Sequence, residues 1–258
     1  MKNILIIGAN GFTGRRILND LSVNPIYHVT GCSLRDDICP GKDYRFVRTD
    51  IRDENEVRKL FKECRPDIVI NTSALSVPDY CETHHAEAEA TNVTAVETIA
   101  HVCEQYGSRF IHLSTDFVFD GKSTRLYKEE DEAIPVNYYG VTKLKAEKII
   151  ASICSNYAIV RVVVVYGKAL PGQHGNILQL VANRLRNGET IRVVSDQWRT
   201  PTFVGDISVG VEKLMFHTAN GIYHICGSEC LTIAEIAYRV ADFLKLDRSL
   251  IRSEERRV

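Results

Sequence analysis

Apolar residues along this chain come in short unbroken runs, separated by segments in which they recur every three or four positions. The first run, Ile4 to Ile7, stops at a glycine, and the segment after it, Phe12 to Leu21, places Ile17, Leu18 and Leu21 at helical spacing. This predicts a strand over Lys2 to Gly8, a tight turn and a helix, which together make one βα unit. Further strands are expected at Tyr27 to Cys32, Tyr44 to Val47, Asp67 to Asn71, Arg109 to Leu113 and Ala158 to Val165. Helices are expected at Glu54 to Cys64, Ala86 to Tyr106 and Tyr139 to Ser152. Near-continuous apolar strands alternating with helices belong to a parallel sheet covered on both faces, so the expected class is α/β, a doubly wound parallel sheet.

The pattern changes after Tyr166-Gly167. A helix from Asn176 to Arg186, a short strand from Ile191 to Val194 and helices at Val209 to Phe216 and Ile233 to Leu244 are spaced by glycines and Pro201. Residues 1–166 are expected to form the main sheet domain, and 167–258 a smaller region packed on it and partly interleaved with it. The charged end, Arg252 to Val258, reads as a loose tail.

Composition narrows the function classes. With 258 residues, 45% hydrophobic and 25% charged, the chain can bury one large core. A formal charge of -1 offers no field for a polyanion, so the expected partner is a small molecule and not nucleic acid. No apolar run approaches the roughly twenty residues of a membrane span, and Ile4 to Ile7 is too short for a signal-peptide core. The expectation is a cytoplasmic protein with no membrane partner; a homodimer is one assembly open to it. The eight cysteines are scattered without the paired spacing that holds zinc, and are expected to be free, mostly buried thiols. His84 and His85 are neighbours on a helix and point about 100 degrees apart, so no metal site is expected. His112 and His174 stand alone and read as structural histidines.

The turn Gly8-Ala9-Asn10-Gly11-Phe12-Thr13-Gly14 joins strand to helix, the context in which a glycine fingerprint holds a dinucleotide. Gly8 permits the exit from the strand, Gly11 the approach of a pyrophosphate, and Gly14 the packing of helix on sheet; Asn10, Phe12 and Thr13 complete the cradle. The N-H groups of the helix then face the phosphates. At the end of the second strand, Cys32-Ser33-Leu34-Arg35 offers no carboxylate for a ribose 2'-hydroxyl, so Ser33 and Arg35 favour NADP, with NAD possible. Asp50-Ile51 could bracket the adenine, although Asp50 could equally cap the following helix. Ser73, Ala74 and Leu75 end the fourth strand at the edge where ligands of such sheets lie.

Tyr139 and Lys143 stand four residues apart, hence on one face of a helix. Reducing a ketone needs hydride on carbon and a proton on oxygen, and a phenol becomes a good proton donor when a nearby cation lowers its pKa. Together with Ser114-Thr115-Asp116-Phe117-Val118-Phe119-Asp120-Gly121 and Asp196-Gln197-Trp198-Arg199-Thr200-Pro201-Thr202, this pair resembles the dTDP-4-dehydrorhamnose reductase family of extended short-chain dehydrogenases. The resemblance covers nearly the whole chain. It implies a Rossmann-type NAD(P)-binding domain, a substrate-binding second region, and reduction of a nucleotide-activated 4-keto-6-deoxysugar, dTDP-4-dehydrorhamnose to dTDP-rhamnose. It also implies a catalytic set of Thr115, Tyr139 and Lys143, in which Thr115 orients the substrate oxygen and Lys143 also holds the nicotinamide ribose.

Asp116 would contact substrate, and Asn92 resembles the family's helix asparagine near the nicotinamide, or else bonds backbone within the fold. Asn176, Gln197 and Arg199 would grip the nucleotide sugar, with the guanidinium suited to its diphosphate. Dehydratase cousins carry a glutamate where this chain has Phe117, which favours reduction over elimination. Family members often carry a tryptophan near Val164, in the substrate pocket, and usually run on beyond the helix that ends near Leu244. Two other readings stand beside reduction. One is an NADP-binding regulatory subunit, as one branch resembling this family is in methionine adenosyltransferase complexes; the other is a nucleotide-sugar epimerase.

Overall fold

The structure, a computed structural model, describes residues 1–40, 43–173 and 175–255. It divides into two compact units, one of residues 1–162 with 208–224, the other of 163–207 with the chain from 225 onward.

The first unit runs β1 (Lys2–Ile7), α1 (Phe12–Ser22), β2 (Tyr27–Ser33), β3 (Arg45–Arg48), α2 (Glu54–Cys64), β4 (Ile68–Asn71), α3 (Pro78–Thr83), α4 (His85–Glu89), α5 (Ala95–Tyr106), β5 (Arg109–Thr115), α6 (Tyr138–Ile153) and β6 (Tyr157–Val162). Its seven-stranded sheet has the order Gly221–Ile225, β6, β5, β4, β1, β2, β3. Every pairing among β1 to β6 is parallel, which is the doubly wound arrangement expected from the apolar runs. The chain winds outward from β1 to β3, then returns to β4 on the other side of β1. This reversal opens a crevice at the carboxyl ends of β1 and β4. The register levels Ile7 with Cys32 on one side and Asn71 on the other, and Asn71 with His112.

The core explains why these segments are strands and helices. Leu5, Ile7, Val69 and Phe110 of the sheet meet Val57, Leu60 and Phe61 of α2, Val96, Ile99 and Ala100 of α5, and Ala146 and Ile150 of α6. Each fully buried leucine or isoleucine contributes on the order of 2 kcal/mol. Asp53 caps α2 by accepting from Asn55 N and Glu56 N, so the cap weighed for Asp50 falls to Asp53.

The structure departs from the sequence pattern in several places. The helix expected over Ala86 to Tyr106 is broken by a π turn at Ala90–Thr94, which carries Asn92 inward. The strand expected to run from Ala158 to Val165 stops at Val162, because Val164 adopts φ 37°, a conformation that interrupts the extended backbone. The short helix α3, with Pro78 in its first turn, and the strand Gly221–Ile225 carried too little periodicity to be predicted.

In the second unit, β7 (Val165–Tyr166) pairs with Thr202–Phe203, and α7 (Ile177–Arg186) and α9 (Ile233–Leu244) bury their apolar faces with β8 (Ile191–Val194). That core holds Val181, Leu185, Ile191, Val193, Ala234, Ala237, Ala241 and Ile251. The helix α8 (Val204–Met215) contains the boundary between the units. The tail expected to be loose is strand over Ile251–Glu254, paired in parallel with β8, because backbone pairing and the buried Ile251 hold it despite its charged side chains. The end of that tail, 256–258, and His174 lie outside the described residues.

Among the described residues, no helix is long and apolar enough to cross a membrane. All eight cysteines are free; Cys32, Cys81, Cys103 and Cys154 are buried, while Cys39, Cys226 and Cys230 are exposed.

Candidate active site

The glycine turn sits where β1 meets the crevice. A Cβ at Gly14 would lie 2.3 Å from Gly8 O and 2.5 Å from Thr72 Oγ1, so only glycine lets α1 close on β1 and on the loop after β4. No side chain caps α1, which begins with Phe12 and Thr13, and no acidic residue stands in its first turn. An uncapped positive helix end over a glycine turn fits a dinucleotide pyrophosphate.

Around this turn the outer strands add polar groups. Asn10 Nδ2 donates to Arg35 O (3.2 Å) and Asp36 O (2.9 Å), which fixes the segment after β2 against the turn. Asn10 Oδ1 accepts from Arg15, whose guanidinium also pairs with Asp37. Ser33 is half-buried at the end of β2 and Arg35 is exposed beyond it. Asp50 is paired with Arg52 at 2.6 Å, and that guanidinium holds its carboxyl below the usual carboxylate range. Ile51 packs against the edge of the core.

The loop after β4 is tied on both sides. Thr72 Oγ1 donates to Ile7 O (2.8 Å), and Asn71 Oδ1 accepts from Ser73 N (3.0 Å) and Ser73 Oγ (2.6 Å). Leu75, beyond Ala74, bonds through both of its backbone groups to the side chain of Asn92. Asn92 Nδ2 also donates to Thr142 Oγ1 at 3.0 Å. Asn92 is fully buried, so its place in the site is to bolt the crevice loop to α6.

Helix α6 carries the central pair. Asn137 caps it by accepting from Gly140 N (2.7 Å), and a Cβ at Gly140 would stand 2.2 Å from Phe117 O. That close approach brings Tyr139 against the end of β5, where the Thr115 hydroxyl stands near the phenol. The Phe117 ring packs edge-on to Tyr139 with centroids 5.9 Å apart, an apolar neighbour for the phenol ring. Burial pushes the Tyr139 phenol above its ordinary range and the charge of Asp116 adds to this, while the neighbouring Thr115 hydroxyl opposes it. Thr115 Oγ1 in turn reaches Asp116 Oδ1 at 3.3 Å. Tyr138 points elsewhere: its ring stacks on His85 and its hydroxyl donates to Glu89 at 2.8 Å. His84 stacks instead on Tyr80, so the two adjacent histidines serve different tyrosines.

Lys143 is 1% exposed, one turn along from Tyr139. Its Nζ lies 2.8 Å from His112 Nε2 and 2.7 Å from Leu113 O. Burial lowers its pKa to about 8, against the opposing pull of Glu147. His112, expected to be an isolated structural residue, is thus a direct partner of the central lysine. Burial first, and then the lysine, hold its ring neutral, well below the usual imidazole range. The partnership shows only once β5 is set against α6. His112 and Ser114 share one face, at the spacing that meets Lys143 and Glu147 on α6, and Ser114 Oγ donates to Glu147 at 2.5 Å. Glu147 is also paired with the buried Arg161 of β6 at 2.7 Å.

The remaining expected residues lie in the second unit. Asn176 is the cap of α7: Oδ1 accepts from Leu178 N and Gln179 N, and Nδ2 donates to Gly167 O at 2.7 Å. Gln197 lies in the loop after β8, and Arg199 in a short strand paired antiparallel with Leu231–Thr232. Val164 occupies the left-handed backbone region noted above.

The profile of one family, described as RmlD substrate binding domain, matches residues 1–257. A probable low-salt glycan biosynthesis reductase of Haloferax volcanii is 31% identical over 251 residues, covering 96% of this chain and 82% of that protein. The beta subunit of methionine adenosyltransferase 2 from Xenopus laevis is 31% identical over 256 residues, covering 97% of this chain and 75% of that one. Among solved structures, the dTDP-4-dehydrorhamnose reductase of Bacillus anthracis in complex with NADP superposes with a TM-score of 0.86 at 25% identity, covering 99% of this chain and 85% of that one.

Proposed function

The chain belongs to the RmlD substrate binding domain family, a sugar-nucleotide reductase and NAD(P)-dependent oxidoreductase by that membership, and we propose that it reduces dTDP-4-dehydrorhamnose to dTDP-rhamnose with NADPH. The observation that carries this reading is the buried Tyr139 beside Thr115 at the carboxyl end of β5, with Lys143 one turn away. The Bacillus anthracis enzyme, named for that substrate and bound to NADP, supports both the sugar and the cofactor.

The glycine turn Gly8 to Gly14 would hold the cofactor, whose reduced nicotinamide would supply the hydride for the carbonyl carbon. Tyr139 gives its phenol proton to the carbonyl oxygen, a transfer that the burial of the phenol opposes and a nearby cation must favour. Thr115 orients the same oxygen. Lys143 holds the ribose hydroxyls, and as a cation it eases the departure of the tyrosine proton. Arg35 receives the 2'-phosphate, Ser33 flanks it, and Asp50 and Ile51 border the adenine. In the second unit, Arg199 and Gln197 are assigned to the diphosphate and nucleoside. Asn176, spent on capping α7, shapes that region through the helix it starts.

Loss of reduced-nicotinamide absorbance with dTDP-4-dehydrorhamnose, abolished by Tyr139→Phe, is the expected result. Binding of NADPH without turnover of this or other 4-keto sugars would overturn it. The Xenopus laevis likeness favours a second reading, an NADP-binding regulatory subunit, which would show itself as a stable copurifying partner and no turnover.

A further inference from the structure

The hydrogen bonds between β4, β5 and α6 form a chain whose protons can be counted. The backbone N-H of Ser73 can only donate, so the Asn71 oxygen must face it at 3.0 Å. The Asn71 amide nitrogen then faces His112 Nδ1 at 3.1 Å, and it too can only donate. His112 Nδ1 must therefore accept. A neutral imidazole that accepts at Nδ1 carries its one proton on Nε2, and that N-H is aimed at Lys143 Nζ, 2.8 Å away. An ammonium has no lone pair to receive it, whereas a free amine accepts from His112 and still donates to Leu113 O at 2.7 Å.

The geometry points to Asn71 and His112 as positioning residues that hold Lys143 as a free amine in the ligand-free chain, so that seating a ribose on Lys143 draws one proton from solvent. The second half rests on the cofactor reading above; the first does not. The charges around the lysine do not account for a free amine. Glu147, one turn along α6, favours the ammonium, and its own charge is matched by Arg161 of β6. Asp116, at the end of β5, acts on Tyr139. The burial that lowers the lysine's pKa works in the same direction as the hydrogen-bond chain.

The test titrates the Lys143 side chain in ligand-free protein labelled with carbon-13 lysine, its signal identified by its loss in Lys143→Arg. The wild type should titrate clearly below about 8, the value that burial gives against the pull of Glu147. Asn71→Asp turns the donor facing His112 Nδ1 into an acceptor, moves the ring proton to Nδ1 and should raise the midpoint by about a unit or more. His112→Gln replaces the fixed N-H by an amide whose oxygen can turn to accept from an ammonium and should raise it as well, which covers the case in which the aspartate variant does not fold. A wild-type midpoint in the ordinary lysine range, or one unmoved in both variants, would overturn the proposal. Calorimetry of NADPH binding at pH 8 in two buffers of different ionisation heat reads the proton directly. Uptake in the wild type and none in Asn71→Asp is expected. Binding with no uptake in the wild type sinks the second half, and no NADPH binding at all sinks the cofactor reading while the titration still decides the state of the amine.

Discussion

Asn92 grips Leu75 by both backbone groups, accepting from Leu75 N at 2.8 Å and donating to Leu75 O at 3.0 Å. Because the same amide reaches Thr142, the loop beside the glycine turn and the helix bearing Tyr139 are held by one side chain. Asn92→Ala leaves the half-buried Leu75 N unpaired and Leu75 O with only the Cys81 thiol as donor, and should lower stability by about 1–3 kcal/mol in denaturant unfolding. Weaker NADPH binding should accompany it. Unchanged stability would mean that the π turn positions the loop without this residue.

Tyr139→Phe keeps the ring that packs against Phe117 and removes only the proton. Turnover should fall by about 100- to 10,000-fold, with NADPH affinity within a few-fold of wild type by fluorescence titration. A large loss of affinity instead would place the hydroxyl in binding and not in proton transfer.

Arg35→Ala should weaken NADPH binding by about 10- to 100-fold, the value of one charge-assisted contact, and leave NADH nearly unchanged. Equal losses for the two cofactors would show that the guanidinium does not meet a 2'-phosphate.

Glu147 and Arg161 are both almost wholly buried, and removing one charge strands the other. Glu147→Leu should cost about 3–5 kcal/mol, and adding Arg161→Met should recover most of it. Additive losses in the double variant would argue against the pair as a unit.

The lysine also makes stability depend on pH with a defined sign. Its folded pKa of about 8 lies below its unfolded value near 10.5, so between those pH values the unfolded chain holds more protons. Stability from this group therefore rises as pH climbs through that window and is lost as pH falls through about 8. Lys143→Met should flatten the rise in unfolding midpoint relative to wild type, and parallel curves would contradict the depressed pKa.

The sheet and the glycine turn were legible because both depend on local sequence, namely apolar runs and glycines at fixed spacing. Tyr139 and Lys143 were legible for the same reason, since one helical turn sets their distance. Three features were not. His112 reads as solitary until β5 is laid against α6, and the inward turn of Asn92 needs an inserted residue that no helical periodicity announces. The strand at Ile251–Glu254 is made by backbone pairing with β8, to which charged side chains are indifferent. What the sequence concealed was in each case a partner distant along the chain.

The strand Gly221–Ile225 has a consequence for anyone dividing this protein. It joins the sheet beside β6 only after the chain has built most of the second unit, and the buried Arg109 donates to Leu214 O and Ala219 O from that same returning segment. A fragment cut after Val162 would keep every glycine of the cofactor turn, yet it would bare the whole margin of β6 and leave Arg109 with Asn156 alone of its three acceptors. Such a margin recruits strands from other molecules. The dinucleotide half of this fold is continuous in space but not in sequence, and its genetic excision should yield aggregate where a circularly permuted chain would yield protein.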